Sequence, residues 1–252
     1  MGDSLTLTPV GVGAAYARPG EAQSAYLVAH GDTCVCLDLG AGALNRLQEF
    51  IPPERLSVIV ISHLHADHCV DLLSLRVYMA WGPGRGHRLR VVGPAGLRSL
   101  LSGFAGDDGW EGFTFETLEE LGGVMDVGPL RLTWAEVPHA GPTFAFRIDH
   151  ASGSITYGAD CGPSDALVAL ASQTDVLLAE CALGAGPSGK GAIHLSAADA
   201  GALARRAGAR RLILTHCYPE HDRDVVLAEA TDAFHGSVAW ARQGQRVVVS
   251  TS

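Results

Sequence analysis

"ISHLHADHC", residues 61–69, poses a chemical problem. Val58-Ile59-Val60-Ile61 is an apolar run that reads as a buried strand. It breaks at Ser62 and delivers His63, His65, Asp67 and His68 within six positions. Imidazole and carboxylate groups are costly to take out of water without partners. A lone histidine in such a place is most simply a satisfied polar residue, whereas four ligand-type side chains in one turn need a common partner. His63 and His65, two apart in a loop leaving a strand, can face one point. Asp67 and His68, in the first turn of a following helix, face a neighbouring point. Two overlapping ligand sets are what a two-metal centre requires.

Such a centre needs further ligands, and three stand where apolar strand-like runs end. His139 follows LTWAEVP, Asp160 closes SITYGAD between Gly158 and Gly162, and His216 closes RLILTH. Glycine beside Asp160 lets backbone approach closely.

The chain has 252 residues, of which 47% are hydrophobic, and is read as one domain spanning residues 1–252. Its N-terminus lacks a basic region followed by a long apolar one, and no run approaches the ~18 apolar residues of a membrane span. Six cysteines form no CxxC pair and adjoin apolar runs, so they read as reduced, buried thiols of a cytoplasmic protein. Cys34-x-Cys36 is most simply two thiols on one strand face. The net charge of −9, with only short basic clusters at Arg85–Arg90 and Arg205–Arg211, argues against a large nucleic-acid partner. It leaves a small anionic substrate open.

Strands are expected over 5–13, 25–30, 34–40, 56–62, 88–93, 129–137, 143–149, 154–160, 176–181 and 211–216. Helices are expected over 43–50, 69–81, from about 95 to 104, and over 164–172, 194–208 and 223–234, with closing strands after 237. Ser196 and Asp199 have capping-box spacing, and Gly208 stands at the expected C-terminal cap. Residues 106–123 are polar and Gly-rich and give no clear element. Strands first, then strands mixed with helices, in each half, imply two packed sheets with helices outside.

The HxHxDH run, followed in order by His139, Asp160 and His216, resembles the metallo-β-lactamase superfamily. The resemblance implies an α/β, four-layer αββα sandwich with a binuclear site at one edge of the sheets. It implies that His63, His65 and His139 hold one metal, Asp67, His68 and His216 the second, and that Asp160 bridges both. Zinc suits such nitrogen and oxygen donors, with manganese or iron as alternatives. Two divalent ions offset by Asp67, Asp160 and a hydroxide leave about +1 at the reacting centre, which favours an anionic ester.

The segment from "LLAEC" through "HLSAADAG" to "LILTHCYPE" resembles ribonuclease Z and related phosphodiesterases. That likeness implies catalytic roles for His194 as proton donor and Glu180 as the group orienting it, beside Asp67 at the metals. The plainer alternative is that His194 is a polar residue ahead of the Ser196 cap. "SHLHADHCVDL", "YGADCGPSDAL" and "HLSAADAG" further resemble actinobacterial cyclic-nucleotide phosphodiesterases of the superfamily. The function implied is hydrolysis of a small or cyclic nucleotide phosphodiester by hydroxide held on the metals. A ribonuclease Z-like tRNA 3′-end endonuclease is the first alternative. Against it, there is no long Gly- and Lys-rich insertion, and "AGPTFAFRIDH" after His139 lacks a basic loop. Hydrolysis of a lactone, thioester or carboxylic ester is the second. A di-iron redox protein is the third, disfavoured by the intact histidines. Relatives of this branch commonly form homodimers, and the resemblance carries that expectation here. Residues 78–88, "YMAWGPGRGHR", read equally as a wall contacting a base or phosphate and as a surface loop.

Overall fold

The apolar run at 58–61 is apolar on both faces because both faces are covered. A computed structural model describes residues 4–118 and 122–250. In it, Val58 and Val60 lie in a core between two sheets, while Ile59 and Ile61 pack under helices. A strand buried on both sides has no need of polar alternation.

In chain order, β1 (Leu5–Gly11), β2 (Ala25–His30) and β3 (Thr33–Leu37) form an antiparallel meander. Then come α1 (Ala43–Leu47), β4 (Val58–Val60), α2 (Ala66–Cys69), α3 (Leu72–Trp81) and β5 (Leu89–Gly93). α4 (Leu97–Ala105) leads to β6 (Phe113–Thr117), and β3 to β6 run parallel. The second half repeats the plan. β7 (Gly123–Val127), β8 (Leu130–Glu136), β9 (Phe144–His150) and β10 (Gly153–Tyr157) are antiparallel. They are followed by α5 (Asp165–Leu170), β11 (Val176–Glu180), α6 (Ala197–Ala207), β12 (Arg211–Thr215), α7 (Arg223–Phe234) and β13 (Ser237–Trp240). β10 to β13 run parallel, and β14 (Val247–Val249) crosses back to pair with β1.

The two seven-stranded sheets have the orders β14-β1-β2-β3-β4-β5-β6 and β13-β12-β11-β10-β9-β8-β7. Their inner faces meet through residues such as Leu7, Tyr26 and Leu37 on one side and Phe146, Ile155 and Tyr157 on the other. α1 to α4 cover the first sheet and α5 to α7 the second, so the expected αββα sandwich is present. Cys34 and Cys36 both point to the helix side of β3, and all six cysteines are free and buried. Among the described residues no helix is long and apolar enough to cross a membrane.

Three departures from the expected elements have local causes. The strands expected over 34–40, 56–62 and 154–160 end early, at Leu37, Val60 and Tyr157, which frees the polar residues that follow. The helix expected over 69–81 is broken between α2 and α3. There the Leu39 backbone takes the His68 carbonyl (2.7 Å) and the Asp71 N–H (3.1 Å). The Gly-rich stretch holds β6 and ends where β7 begins, edge strands whose half-exposed pattern is weak in sequence, while residues 119–121 lie outside the described residues.

The capping box forms as expected: Ser196 Oγ accepts from Asp199 N (3.2 Å) and Asp199 Oδ2 accepts from Ser196 N (3.0 Å). α6 lies close on α7 because Gly201 has no side chain. A Cβ there would stand 2.4 Å from the Ala230 carbonyl oxygen and 2.7 Å from the Ala233 Cβ. Gly201→Ala gains helix propensity but overpacks a backbone contact, so a net loss of about 1–2 kcal/mol is expected. Urea unfolding checks it, and a raised midpoint would refute the close-approach reading.

Candidate metal centre

Strand ends bring the ligand-type residues together. His63 and His65 leave β4, and Asp67 and His68 lie in α2. His139 follows β8, Asp160 follows β10 and His216 follows β12. His216 itself has φ 50°, and Ala159, just before Asp160, has φ 53°. Left-handed backbone at non-glycine residues is uncommon and is held only where surroundings over-determine it. Here it turns the chain off the sheet at the point where the ligand must face inward.

All seven expected residues converge in two groups, His63, His65, His139 and Asp160, and Asp67, His68, Asp160 and His216. In the first, His65 Nδ1 is 3.0 Å from His63 Nε2 and 3.2 Å from His139 Nε2. Asp160 Oδ2 stands 4.0 Å from both Nε2 atoms. In the second, His216 Nε2 is 3.3 Å from His68 Nε2 and 3.1 Å from Asp67 Oδ2. Asp160 Oδ1 is 3.3 Å from His68 Nε2 and 3.5 Å from His216 Nε2. Asp160 therefore turns one oxygen to each group.

These distances fit metal coordination. Donors held at ~2.0–2.1 Å on a tetrahedron stand roughly 3.3 Å apart. The far nitrogens of three imidazoles are tied to the protein. His139 Nδ1 donates to the Ile193 carbonyl (3.0 Å), His68 Nδ1 meets Asp38 Oδ2 (2.8 Å) and His63 Nδ1 meets Ser62 Oγ (3.0 Å). Such partners orient a ligating ring.

The charges agree. Burial drives the His63 imidazole down to about 2, so it stays neutral. Burial alone would raise Asp67, but hydrogen bonds from His216 and His68 hold it below the usual carboxylate range. The buried Asp160 carboxylate is likewise held down by the charges of His216 and His68, against burial. Burial lowers His68, but Asp160 and Asp38 outweigh it and push it well above the ordinary value. The carboxylates thus call for positive charge at the centre. Without a cation it falls on His68 and His216; a divalent cation supplies it and leaves both rings neutral as ligands.

The expected pair Glu180 and His194 is also formed. His194 Nδ1 is 2.7 Å from Glu180 Oε1, and the buried carboxylate also accepts from Cys161 N (3.1 Å) and Ala182 N (2.8 Å). Burial works against a proton on His194, but its Glu180 partner outweighs burial and raises the imidazole. The His194 ring lies 4.9 Å from His139 and lines a cavity of about 390 Å³ with His65, Asp67, Asp160, His216 and Tyr218. Residues 78–88 contribute nothing to that cavity. Part of the segment lines a different one, of about 520 Å³, with Asp108, Gly109, Glu111 and Gly112 at the N-terminal ends of β5 and β6. The parallel strands expose their C-terminal ends to the metal centre, so the wall reading of 78–88 is replaced by a distal surface.

One site residue was missed in the sequence. Asp38, fully buried with φ 59°, accepts from Ser62 N (2.7 Å), Ser62 Oγ (2.8 Å) and Tyr157 Oη (2.7 Å) and holds His68 Nδ1. Its signal, an aspartate closing the apolar run CVCL, is masked by Leu39, which continues the apolar pattern past the end of β3. Asp38→Asn keeps the volume but cannot accept from all four donors. A 10- to 100-fold loss of metal affinity is expected. Zinc titration against a competing chelator measures it, and unchanged affinity would exclude the orienting role.

The beta-lactamase superfamily domain family matches residues 36–217. The probable metallo-hydrolase YhfI of Bacillus subtilis is 29% identical over 95% of this chain and 98% of its own length. Its crystal structure, described as a metallo-beta-lactamase fold protein, superposes with a TM-score of 0.88 over 97% of this chain and 99% of that one, at 27% identity. The Mycobacterium tuberculosis protein Rv1339 is 33% identical over 93% of this chain and 89% of its own. Ribonuclease Z of Mycobacterium sp. strain KMS is 26% identical over 85% of each. The chain belongs to the β-lactamase superfamily and has the metallo-β-lactamase fold.

Proposed function

We propose that the protein is a metal-dependent hydrolase that cleaves a small or cyclic nucleotide phosphodiester. The observation that carries this reading is the Glu180–His194 pair, 2.7 Å apart, whose imidazole lines the same cavity as His65, Asp67, Asp160 and His216 of the two ligand groups. A proton donor held beside the metals is needed where the leaving group is a poor one, as a sugar oxygen is. Relatives point the same way: one is named a probable metallo-hydrolase and another a ribonuclease Z. A cavity of about 390 Å³ fits a small ester better than a folded RNA, and the net charge of −9 opposes a long polyanion.

His63, His65 and His139 would hold one divalent cation, Asp67, His68 and His216 the other, with Asp160 shared. Zinc is the metal proposed on donor chemistry. When bound, such a pair supplies Lewis-acid charge and lowers the pKa of water from ~15.7 toward neutrality. The chain's own residues do the rest. Asp67 commits Oδ2 to the ligand group, which leaves Oδ1 to accept a hydrogen bond from the attacking water. The seven ligand residues would hold the cations whose charge draws the phosphate to this end of the cavity. As the ester P–O bond breaks, His194 Nε2 gives its proton to the leaving oxygen. Glu180 keeps the His194 ring aimed and favours its charged form until then.

Two predictions follow from these roles. His194→Ala should keep its metal while losing about 10²- to 10⁴-fold in kcat on cyclic nucleotides. The loss should be smaller on bis(p-nitrophenyl) phosphate, whose leaving group needs no proton. Equal losses on both substrates, or none, would remove the proton-donor role. The wild-type protein should carry two zinc ions per chain by elemental analysis, and His63→Ala should lower that number together with turnover. Hydrolysis of lactones with no phosphodiester cleaved would overturn the substrate class.

A further inference from the structure

The metal-facing cavity has one large side chain that the chemistry above leaves unused. Tyr218, two residues beyond His216, lines it beside Asp67, Asp160 and His194. Its ring stacks on Tyr16, with centroids 4.7 Å apart and planes inclined by 23°. Tyr16 is 55% exposed and is not itself among the lining residues, so it backs one face of Tyr218 from outside the cavity.

The pair is held from both ends. Tyr16 Oη donates to Glu220 Oε1 (2.7 Å). Arg18 Nη2 donates to the carbonyls of Tyr218 (3.3 Å), Pro219 (3.0 Å) and His221 (3.3 Å). The loop between β1 and β2 is thereby tied to the loop between β12 and α7. Gln23, which also lines the cavity, has its amide occupied: Nε2 donates to the Ala15 carbonyl (2.8 Å) within this loop and Oε1 accepts from Ala41 N (3.1 Å) beyond β3. Besides the ligands and His194, the lining then consists of two alanines, an occupied amide and the Tyr218 ring.

We infer that Tyr218, braced by Tyr16, is the platform on which a planar heteroaromatic ring of the substrate, a nucleobase, stacks while its phosphate lies at the metal ligands. The inference rests on the phosphodiester reading above and adds the part of the substrate that is recognised. A flat π-face favours offset stacking with another flat ring. Such stacking is tolerant of base identity, because every base presents a face. A braced ring loses little freedom when the ligand arrives, so the contact contributes to affinity in full.

Calorimetric binding of adenosine 5′-monophosphate and of ribose 5-phosphate to the zinc-loaded protein tests it, since the two differ by the base alone. The nucleotide should bind roughly 5- to 30-fold tighter. Tyr218→Leu should erase that advantage, and Tyr218→Phe should keep it. Thermal melting and zinc content of each variant show that fold and metal are retained. Equal binding of the two ligands by the wild type, an advantage that survives Tyr218→Leu, or one lost in Tyr218→Phe would overturn the platform and leave the phosphodiester reading standing. If neither phosphate binds, the phosphodiester reading falls and the platform with it.

Discussion

Asp160 stands 2% exposed between two groups of imidazoles, with Oδ1 toward one and Oδ2 toward the other. An ionised carboxylate in that position is expensive unless it is compensated on both sides. Imidazole nitrogens packed 3.0–3.3 Å from one another need a proton or a cation between them, because two lone pairs facing each other repel. Each problem is the answer to the other once cations are admitted. Stability and chemistry therefore share one requirement: the sandwich edge closes well only when the centre carries positive charge.

The two sheets are fastened directly beneath that centre. Tyr157 of the second sheet donates to Asp38 at the end of β3 (2.7 Å), and Tyr26 of the first meets Thr215 at the end of β12 (2.7 Å). The two phenol rings lie 4.9 Å apart. Burial raises both phenols far above their ordinary values, so each keeps its proton and its role as donor. Asp38 then couples sheet packing to the orientation of His68. Interiors are close-packed and transmit displacement, so a change in how the sheets meet reaches a ligand within one side chain.

An acidic protein concentrates positive demand at a single edge. The carboxylates of Asp67, Asp160, Asp38 and Glu180 are all buried there, each against one or more imidazoles. On the proposed function, the net charge of −9 disfavours long polyanions, while the centre, once loaded, would present the opposite sign at short range.

The sequence alone determined which ligand-type residues gather at the candidate metal centre. HxHxDH at 63–68 is legible because four ligand-type residues in six positions need a common partner, and His139, Asp160 and His216 are legible together because loop polarity, which explains any one of them, does not readily explain all three at the ends of apolar runs. The capping box at Ser196 and the double-sided burial of 58–61 are equally local. What only the tertiary structure decided are the features made by backbone from distant parts of the chain. Leu39 splits the helix at 70–71 by taking hydrogen bonds that the local sequence would have given to the helix itself. Asp38 becomes an orienting residue through His68 and Tyr157, 30 and 119 positions away. The stack of Tyr16 on Tyr218 joins loops some two hundred residues apart. Segment 78–88 falls at the far end of β5, because which end of a strand meets the site depends on sheet direction, and no periodicity records that.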